Sequence, residues 1–207
     1  MKKFLAILLL LLVPTTLKAD LEDVGNATCK VYSNDGTGSG VVFLENKTHY
    51  FVLTAAHVVY SSDGSLDTNI ELEFFIDGFK SKKINSVVDY ALLLGGSTVD
   101  IAVLKFKKEE LGKYPKPNVI PIDGSFDTKT NDIVLTYGCP QGRWPSGQKG
   151  HVVYYHPNRL IVTPNPIGGR SGSGVFDKNG EKIIGIIIWK DGTSVPAAKI
   201  KALLTNL

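Results

Sequence analysis

Three short stretches constrain this chain more than any other feature, because each sets one reactive polar side chain in an apolar or glycine-rich context. The stretches are Leu53-Thr-Ala-Ala-His57, Val99-Asp-Ile-Ala-Val-Leu104 and Gly168-Gly-Arg-Ser-Gly-Ser-Gly174. Their polar residues follow the order His57, Asp100, Ser171 along the chain. An imidazole, a carboxylate and a hydroxyl are the groups that activate a serine nucleophile, and this chain order is one of those in which they occur. The fold must therefore bring together three residues that lie far apart in sequence.

The first nineteen residues have the pattern of an export signal. Lys2 and Lys3 precede an unbroken apolar run of ten residues, Phe4–Val13, and Ala19 offers a small-residue cleavage site. Ten apolar residues are too few to span a bilayer. We therefore expect a signal peptide over residues 1–19 and a secreted or periplasmic mature chain that leaves the membrane after cleavage; an uncleaved anchor is the alternative.

The charge of the chain argues against a nucleic-acid partner. The net charge of +3 comes from 23 basic and 20 acidic residues, and three of the lysines, but none of the acids, precede residue 20. The mature chain is thus formally neutral and has no Lys/Arg run long enough to follow a phosphate backbone. Export permits a disulfide between its two cysteines, Cys29 and Cys139, and two separately buried thiols are the alternative.

Short β-type runs separated by turn residues predict an all-β fold. The predicted strands are Cys29–Ser33, Gly40–Leu44, Tyr50–Thr54, Ile70–Ile76, Lys82–Val88, Ile101–Phe106, Ile133–Tyr137, Gly150–Tyr155, Leu160–Thr163, Gly174–Phe176 and Ile183–Trp189. Asn179-Gly180 is a turn dipeptide that predicts a hairpin between the last two. The only helix predicted is at the C-terminal end, over residues 196–207.

A charged and proline-rich segment divides the mature chain into two halves of similar size. We expect an N-terminal β-domain over 20–110 with His57 and Asp100, a linker over 111–121, and a C-terminal β-domain over 122–195 with Ser171. A site shared by two half-domains is a common place for a cleft.

The glycines around Ser171 suit an anion-binding turn. Glycine adopts backbone conformations that other residues avoid, so the N–H groups of Gly169 and Ser171 could form an oxyanion hole. Ser173 is the rival nucleophile, but Ser171 is the serine with a glycine two residues before it and another directly after it.

His57 and Asp100 are the predicted base and its orienting acid. A carboxylate at the mouth of an apolar strand is costly to bury unpaired, and pairing with an imidazole N–H would satisfy it. Asp67 and Asp89 lack such an apolar run after them. The serine hydrolases with a Gly-x-Ser-x-Gly elbow are excluded because no His follows Ser171, and no His-Glu-x-x-His supports zinc chemistry.

Several motifs resemble one known family in the same order along the chain. They are Thr37-Gly-Ser-Gly-Val41, Thr54-Ala-Ala-His57, Asp100-Ile-Ala-Val-Leu-Lys105, Gly138-Cys-Pro-Gln-Gly142, Gly169-Arg-Ser-Gly-Ser173 and Ser194-Val-Pro196. Together they resemble the chymotrypsin-fold serine proteases, above all the protease domain of the bacterial Do-type (high-temperature-requirement) proteases and the glutamyl endopeptidases. The resemblance implies two six-stranded antiparallel β-barrels with the active site in the cleft between them, and no cofactor.

The resemblance also implies which residues line a substrate pocket, and at one position this chain departs from the family. Asn165, Trp189 and Lys190 fall where relatives line the primary pocket, and the neutral Asn165 argues against a demand for Lys or Arg. Arg170 stands where digestive proteases have an Asp that pairs with a newly cut N-terminus.

These observations lead us to expect an exported serine endopeptidase that cleaves polypeptides through an acyl-enzyme. A catalytically latent binding module on the same fold is the alternative, because Arg170 and Lys190 could distort or block the site.

Overall fold

The computed structural model describes residues 16–94 and 99–205, and β-strands dominate it. The helices and strands along the described chain are α1 (Thr16–Ala27), β1 (Thr28–Ser33), β2 (Gly36–Glu45), β3 (His49–Thr54), β4 (Ile70–Ile76), β5 (Phe79–Lys80), β6 (Ile84–Leu93), β7 (Asp100–Lys107), β8 (Ile133–Gly138), β9 (Ser146–His156), β10 (Arg159–Thr163), β11 (Gly174–Phe176), β12 (Ile183–Ile187), β13 (Thr193–Pro196) and α2 (Ala197–Leu204). Short 3-10 turns cover Ala56–Val58, Lys108–Leu111 and Pro140–Gly142.

The first seven strands form a closed barrel. They pair in the order β1-β2-β3-β7-β6-β4-β5, all antiparallel, and β1 also pairs with β4. Since β5 is a two-residue strand at the edge of β4, six strands make the barrel wall. Closure satisfies the backbone groups that an open sheet would leave unpaired. Alternate residues of each strand, such as Cys29 and Val31 of β1, fill the interior and are buried.

The last six strands form a second closed barrel in the order β10-β13-β12-β11-β8-β9. The strand β12 explains how the two barrels join. Ile184 and Ile187 pack inside the second barrel, whereas Ile183 and Ile186 pack into the core that includes the first barrel. A strand covered on both faces reads as a continuous apolar run, as this one does. The predicted architecture of two six-stranded antiparallel barrels with a short C-terminal helix is confirmed.

The segment between the barrels is held to both of them. Within the range predicted as the linker, the Ile120 N–H donates to Val42 O (3.0 Å), and Pro121 O accepts from the Ile183 N–H (2.9 Å). These bonds join β2 of the first barrel to β12 of the second. The relative placement of the barrels is therefore supported by main-chain bonds as well as by side-chain packing.

The helix α1 corrects the expectation of a single, C-terminal helix. Its residues Val24 and Ala27 are completely buried, and the helix contacts strands of both barrels. Gly25 lies so close to the ring of Tyr137 on β8 that an added Cβ would be 2.9 Å from its hydroxyl oxygen. The predicted signal boundary at Ala19 cuts this helix, so the residues on either side are too few to show a helical period. Within residues 16–94 and 99–205 no helix is long and apolar enough to cross a membrane.

The two cysteines are buried free thiols, so the bridge that the sequence left open is not formed in this structure. The register of the barrel wall gives the reason. Cys29 faces the barrel interior, where its sulfur would lie 3.1 Å from a Cβ added to Gly40. Ser39, the neighbour of Gly40, faces the other way and accepts from the Cys139 N–H (2.8 Å). Since successive residues of a strand point to opposite faces, the two thiols lie on opposite sides of one sheet.

Candidate active site

His57 sits where β3 leaves the wall of the first barrel. The strand ends at Thr54, whose hydroxyl donates to Ser39 O (2.8 Å), and the chain turns through the buried residues Ala55 and Ala56. Their small side chains let the turn pass through a packed region. The imidazole that follows is one-third exposed, so one edge of it faces solvent.

Asp100 is the first residue of β7 and holds His57 with both carboxylate oxygens. Oδ2 lies 2.6 Å from His57 Nδ1, and Oδ1 accepts from the His57 main-chain N–H (2.9 Å). The carboxylate is 2% exposed, and these two bonds offset the cost of burying it. Since an ionised carboxylate only accepts hydrogen bonds, Nδ1 carries the proton and Nε2 of the neutral ring keeps its lone pair.

The two alternative acids lie elsewhere and have their own partners. Asp89 accepts from Lys105 Nζ (2.5 Å) on the outside of the first barrel. Asp67 accepts from the amide groups of Asn34 and from the Ser61 hydroxyl. Asp100 is thus the acid that the fold brings to His57.

Ser171 lies in a turn whose shape depends on glycine. Gly169 and Gly172 have φ angles of +85° and +84°, which side-chain-bearing residues rarely adopt. A Cβ on Gly172 would overlap Ser39 O and the Thr54 hydroxyl, and one on Gly169 would lie 2.6 Å from Cys139 O. The turn is therefore pressed against both barrels, and only glycine fits at these two points.

Ser39, on β2 of the first barrel, holds the turn around Ser171 in place by hydrogen bonds. Its main-chain N–H donates to Ser171 O (2.8 Å), and its hydroxyl donates to Gly169 O (2.8 Å). The same hydroxyl accepts from the Cys139 N–H. The sequence predicted no role for Ser39; the signal that could have found it is its place between two glycines in Thr37-Gly-Ser-Gly-Val41.

The nucleophile candidate and the base candidate approach each other from the two barrels. A Cβ added to Gly38 would lie 2.7 Å from the Val58 methyl groups and 3.1 Å from Ser171 O, so Gly38 separates Ser171 from the residue after His57. The Ser171 hydroxyl makes no hydrogen bond within residues 16–94 and 99–205. Its contact with His57 Nε2 stays a prediction, and such bonds often form only when substrate is present.

The main-chain N–H groups of Gly169 and Ser171 are directed away from other protein groups. The Gly168 carbonyl accepts from the Gln141 N–H (2.6 Å), and the Arg170 carbonyl accepts from the Ser173 N–H (2.9 Å). Because N–H and C=O point in opposite directions across a trans peptide, the N–H groups of Gly169 and Ser171 point away from those donors. Neither amide donates to any described atom of the chain, so both are available to an oxyanion.

Ser173 is placed where it cannot act as a nucleophile. Its side chain is completely buried, and its hydroxyl has no hydrogen-bond partner among the described residues. Ser171, by contrast, is only half-buried.

The predicted pocket residues differ in their surroundings. The Trp189 ring stacks on His57 with the ring centroids 6.0 Å apart and the planes 13° from parallel, yet 55% of this residue is exposed. Asn165 and Lys190 are exposed, and neither makes a hydrogen bond or ion pair within the part of the chain that the structure describes. Trp189 begins a tight turn that closes where the Gly192 N–H donates to Trp189 O (3.1 Å). Of the three residues, Trp189 is the one for which the structure shows a contact with His57.

The fold and these residues define a class, the chymotrypsin-fold serine proteases. Residues 38–186 match the family model described as the trypsin-like peptidase domain. The match covers most of the sequence, and the chain belongs to this family.

Solved structures show the same fold at low sequence identity. The Rv3671c protease of M. tuberculosis H37Rv, in its inactive form, is 18% identical with a TM-score of 0.67, and the match covers 93% of this chain and 92% of that one. The serine endoprotease from Yersinia pestis is 22% identical with a TM-score of 0.70, covering 94% and 67%. Deg5 is 16% identical with a TM-score of 0.67, covering 91% and 90%. No curated protein matches the sequence.

Proposed function

We propose that this protein is a serine endopeptidase in which Ser171, His57 and Asp100 form the catalytic triad. The observation that carries the proposal is the buried Asp100 carboxylate, which accepts from the His57 main-chain N–H and lies 2.6 Å from His57 Nδ1, so that the other ring nitrogen, Nε2, is the one left to act as a base. A serine hydroxyl needs such a base within reach to become a nucleophile at neutral pH.

Acylation follows from this arrangement. Ser171 Oγ attacks the scissile carbonyl carbon while His57 Nε2 takes its proton, and the carbonyl oxygen becomes an oxyanion that accepts from the Gly169 and Ser171 amides. The intermediate collapses as the C–N bond breaks, and His57 gives the proton to the leaving amine. Deacylation repeats the sequence with water, whose proton passes through His57 back to Ser171 as the ester bond breaks.

The substrate is a flexible or unfolded polypeptide, and the pocket favours small or medium apolar side chains. The neutral Asn165 offers no charge to a basic side chain, and the exposed face of Trp189 beside His57 is an apolar surface for substrate. Profiling cleavage sites in a denatured protein mixture tests this. A strong preference for Lys, Arg or Glu before the cut would contradict it.

The protein is exported, with the mature chain beginning at Asp20. The support is the sequence pattern of residues 1–19: two lysines, a ten-residue apolar run and a small residue at Ala19. N-terminal sequencing of the protein recovered outside the cytoplasm tests the cleavage site.

Labelling of residues 20–207 with a fluorophosphonate tests the nucleophile. We expect the wild type to be labelled and to degrade casein, and Ser171→Ala to lose both properties. Ser173→Ala is the matched control, because its hydroxyl is buried without a partner, and it should be labelled like the wild type. Undiminished labelling of Ser171→Ala would reject the assignment, and an unlabelled wild type would favour the latent binding module.

A further inference from the structure

Arg170, the residue before Ser171, is the largest side chain that is almost completely buried among the described residues. Nη2 of its guanidinium donates to Ser146 O (2.8 Å) and to the Ser146 hydroxyl (3.1 Å), and Nη1 donates to the Thr136 hydroxyl (3.4 Å). Nε is buried and has no hydrogen-bond partner within residues 16–94 and 99–205. The side chain therefore runs behind the turn into the wall of the second barrel, and does not enter the cleft.

No carboxylate compensates this buried charge. Among the described residues, no Asp or Glu forms an ion pair with Arg170. Burial lowers the pKa of Arg170 from its ordinary value, the direction that desolvation of a cation gives. Charged side chains are rarely buried without a partner, because the loss of hydration is costly. A feature of this kind beside a reactive group calls for an explanation beyond stability.

The location of Arg170 supplies one. The Ser171 N–H belongs to the peptide unit that follows Arg170, and the Gly169 N–H belongs to the unit on the other side of Gly169. The orientation of the Ser171 amide therefore depends directly on how the Arg170 backbone is held, and that of the Gly169 amide depends on it through a single glycine. The glycines on either side give the turn little rigidity of its own. The guanidinium fastens this backbone to Thr136 of β8 and to Ser146 of β9.

We propose that Arg170 is a positioning residue of the oxyanion hole. It keeps the Gly169 and Ser171 amides directed at one point. Its uncompensated charge also makes the potential at that point positive, because a buried charge is weakly screened. An anionic tetrahedral intermediate is then favoured over neutral substrate. The inference rests on the proposed function, since the hole has a role only if Ser171 forms an acyl-enzyme.

Arg170→Met in the mature chain tests the proposal, because methionine keeps an unbranched apolar side chain but has neither the charge nor the donors. We expect kcat to fall about 100-fold with KM nearly unchanged, as for loss of an oxyanion donor. The midpoint of thermal unfolding should stay the same or rise, since the variant removes an unpaired buried charge. A purely structural role predicts the opposite, a lower midpoint.

Two further variants and one ligand sharpen the test. Arg170→Lys keeps the charge with fewer donors and should lose about tenfold in kcat, and it replaces the Met variant in the comparison if that variant does not fold. Arg143→Met, which removes an exposed arginine, is the control and should behave like the wild type. A peptide boronic acid, which binds serine as a tetrahedral anion, should lose about as much affinity for Arg170→Met as kcat loses.

The outcomes separate this inference from the function on which it rests. Wild-type kcat and boronate affinity in Arg170→Met, or in Arg170→Lys if only that variant folds, would overturn the role of Arg170 and leave the triad intact. A lower unfolding midpoint with unchanged turnover per labelled active site would also overturn it. An unlabelled wild type would instead reject the proposed function.

Discussion

The two barrels hold their parts of the site in different ways. In the first barrel, His57 and Asp100 meet directly, by two hydrogen bonds between the ends of neighbouring strands. In the second, the turn around Ser171 rests on its glycines, on the Arg170 guanidinium and on the Ser39 hydroxyl of the other barrel. The proposed base is thus assembled within one barrel, whereas the proposed nucleophile depends on the junction between the two barrels. Catalysis should therefore respond to two kinds of mutation, one chemical and one conformational.

The largest effect is expected for Asp100→Asn, which changes the hydrogen bonding between residue 100 and His57 in the first barrel. An asparagine NH₂ facing Nδ1 would force the proton of the neutral imidazole onto Nε2, so the ring could no longer accept the serine proton. We expect kcat to fall about 10³–10⁴-fold with little change in fold, measured by peptide turnover and circular dichroism. Asp89→Asn removes an exposed carboxylate of the same barrel and should leave kcat unchanged. Full activity of Asp100→Asn would show that the His57–Asp100 pair has no part in turnover.

Gly172→Ala should distort the backbone of the turn around Ser171 in the second barrel. The new methyl group would overlap Ser39 O and the Thr54 hydroxyl at a φ of +84°. Left-handed backbone alone costs about 1–2 kcal/mol for a residue with a Cβ, and we expect kcat to fall by about 100-fold as the turn moves. Urea unfolding and active-site labelling measure the two losses.

Gly168→Ala is the matched control for that change. A Cβ on Gly168 meets no heavy atom within 4 Å, so this variant should unfold like the wild type. Equal stability of the two variants would show that the turn is less tightly held than its contacts indicate.

Ser39→Ala probes the connection between the two regions and should have a smaller effect. It removes a hydroxyl that donates to Gly169 O and accepts from the Cys139 N–H, which leaves two main-chain groups unpaired. The expected loss of stability is about 1–3 kcal/mol. We expect kcat to fall by about tenfold, because a small misplacement of reacting groups can cost more than that.

Ser86→Ala separates the two consequences of losing Ser39. Ser86 also has a buried hydroxyl in the first barrel, and it donates to Ile70 O (3.1 Å) away from the cleft. Both variants should lose stability, but only Ser39→Ala should lose turnover per labelled site. Equal turnover would mean that Ser39 supports the fold and not the turn.

The contrast between the two barrels also explains which features of the fold and the site could be predicted from the sequence. Strands and turns depend on local patterns, so the run Ile70–Ile76 was predicted with the bounds that β4 has. The Asn179-Gly180 hairpin was predicted likewise, and β11 and β12 pair around it. His57 and Asp100 each stand at the end of an apolar strand, where a polar group needs a partner, and the fold joins them.

The features that the sequence did not predict depend on contacts between distant parts of the chain. The two glycines beside Ser39 mark the position but do not indicate that its hydroxyl reaches Gly169, and nothing near Arg170 indicates that Ser146 accepts from it. The helix α1 is stable because Val24 and Ala27 are buried between two barrels, not because of its own periodicity. Local patterns specify strands, whereas the junction that holds the turn around Ser171 appears only once both barrels are folded.

The cysteines offer the mildest test of the comparison, because one thiol lies in each region. Burial raises the pKa of Cys139 to about 12 and the pKa of Cys29 well above its usual value. At a pH below its pKa a thiol is protonated and unreactive. Neither cysteine should therefore react with a disulfide reagent in the folded protein at mildly alkaline pH, and both should react in denaturant. During long incubation of the folded protein with the reagent, local opening should expose Cys139, at the junction of the barrels, before Cys29, inside the first barrel. Peptide mass spectrometry of the products measures the order of modification. Modification of Cys29 first would mean that the first barrel opens more readily than the junction, which reverses the contrast between the two regions.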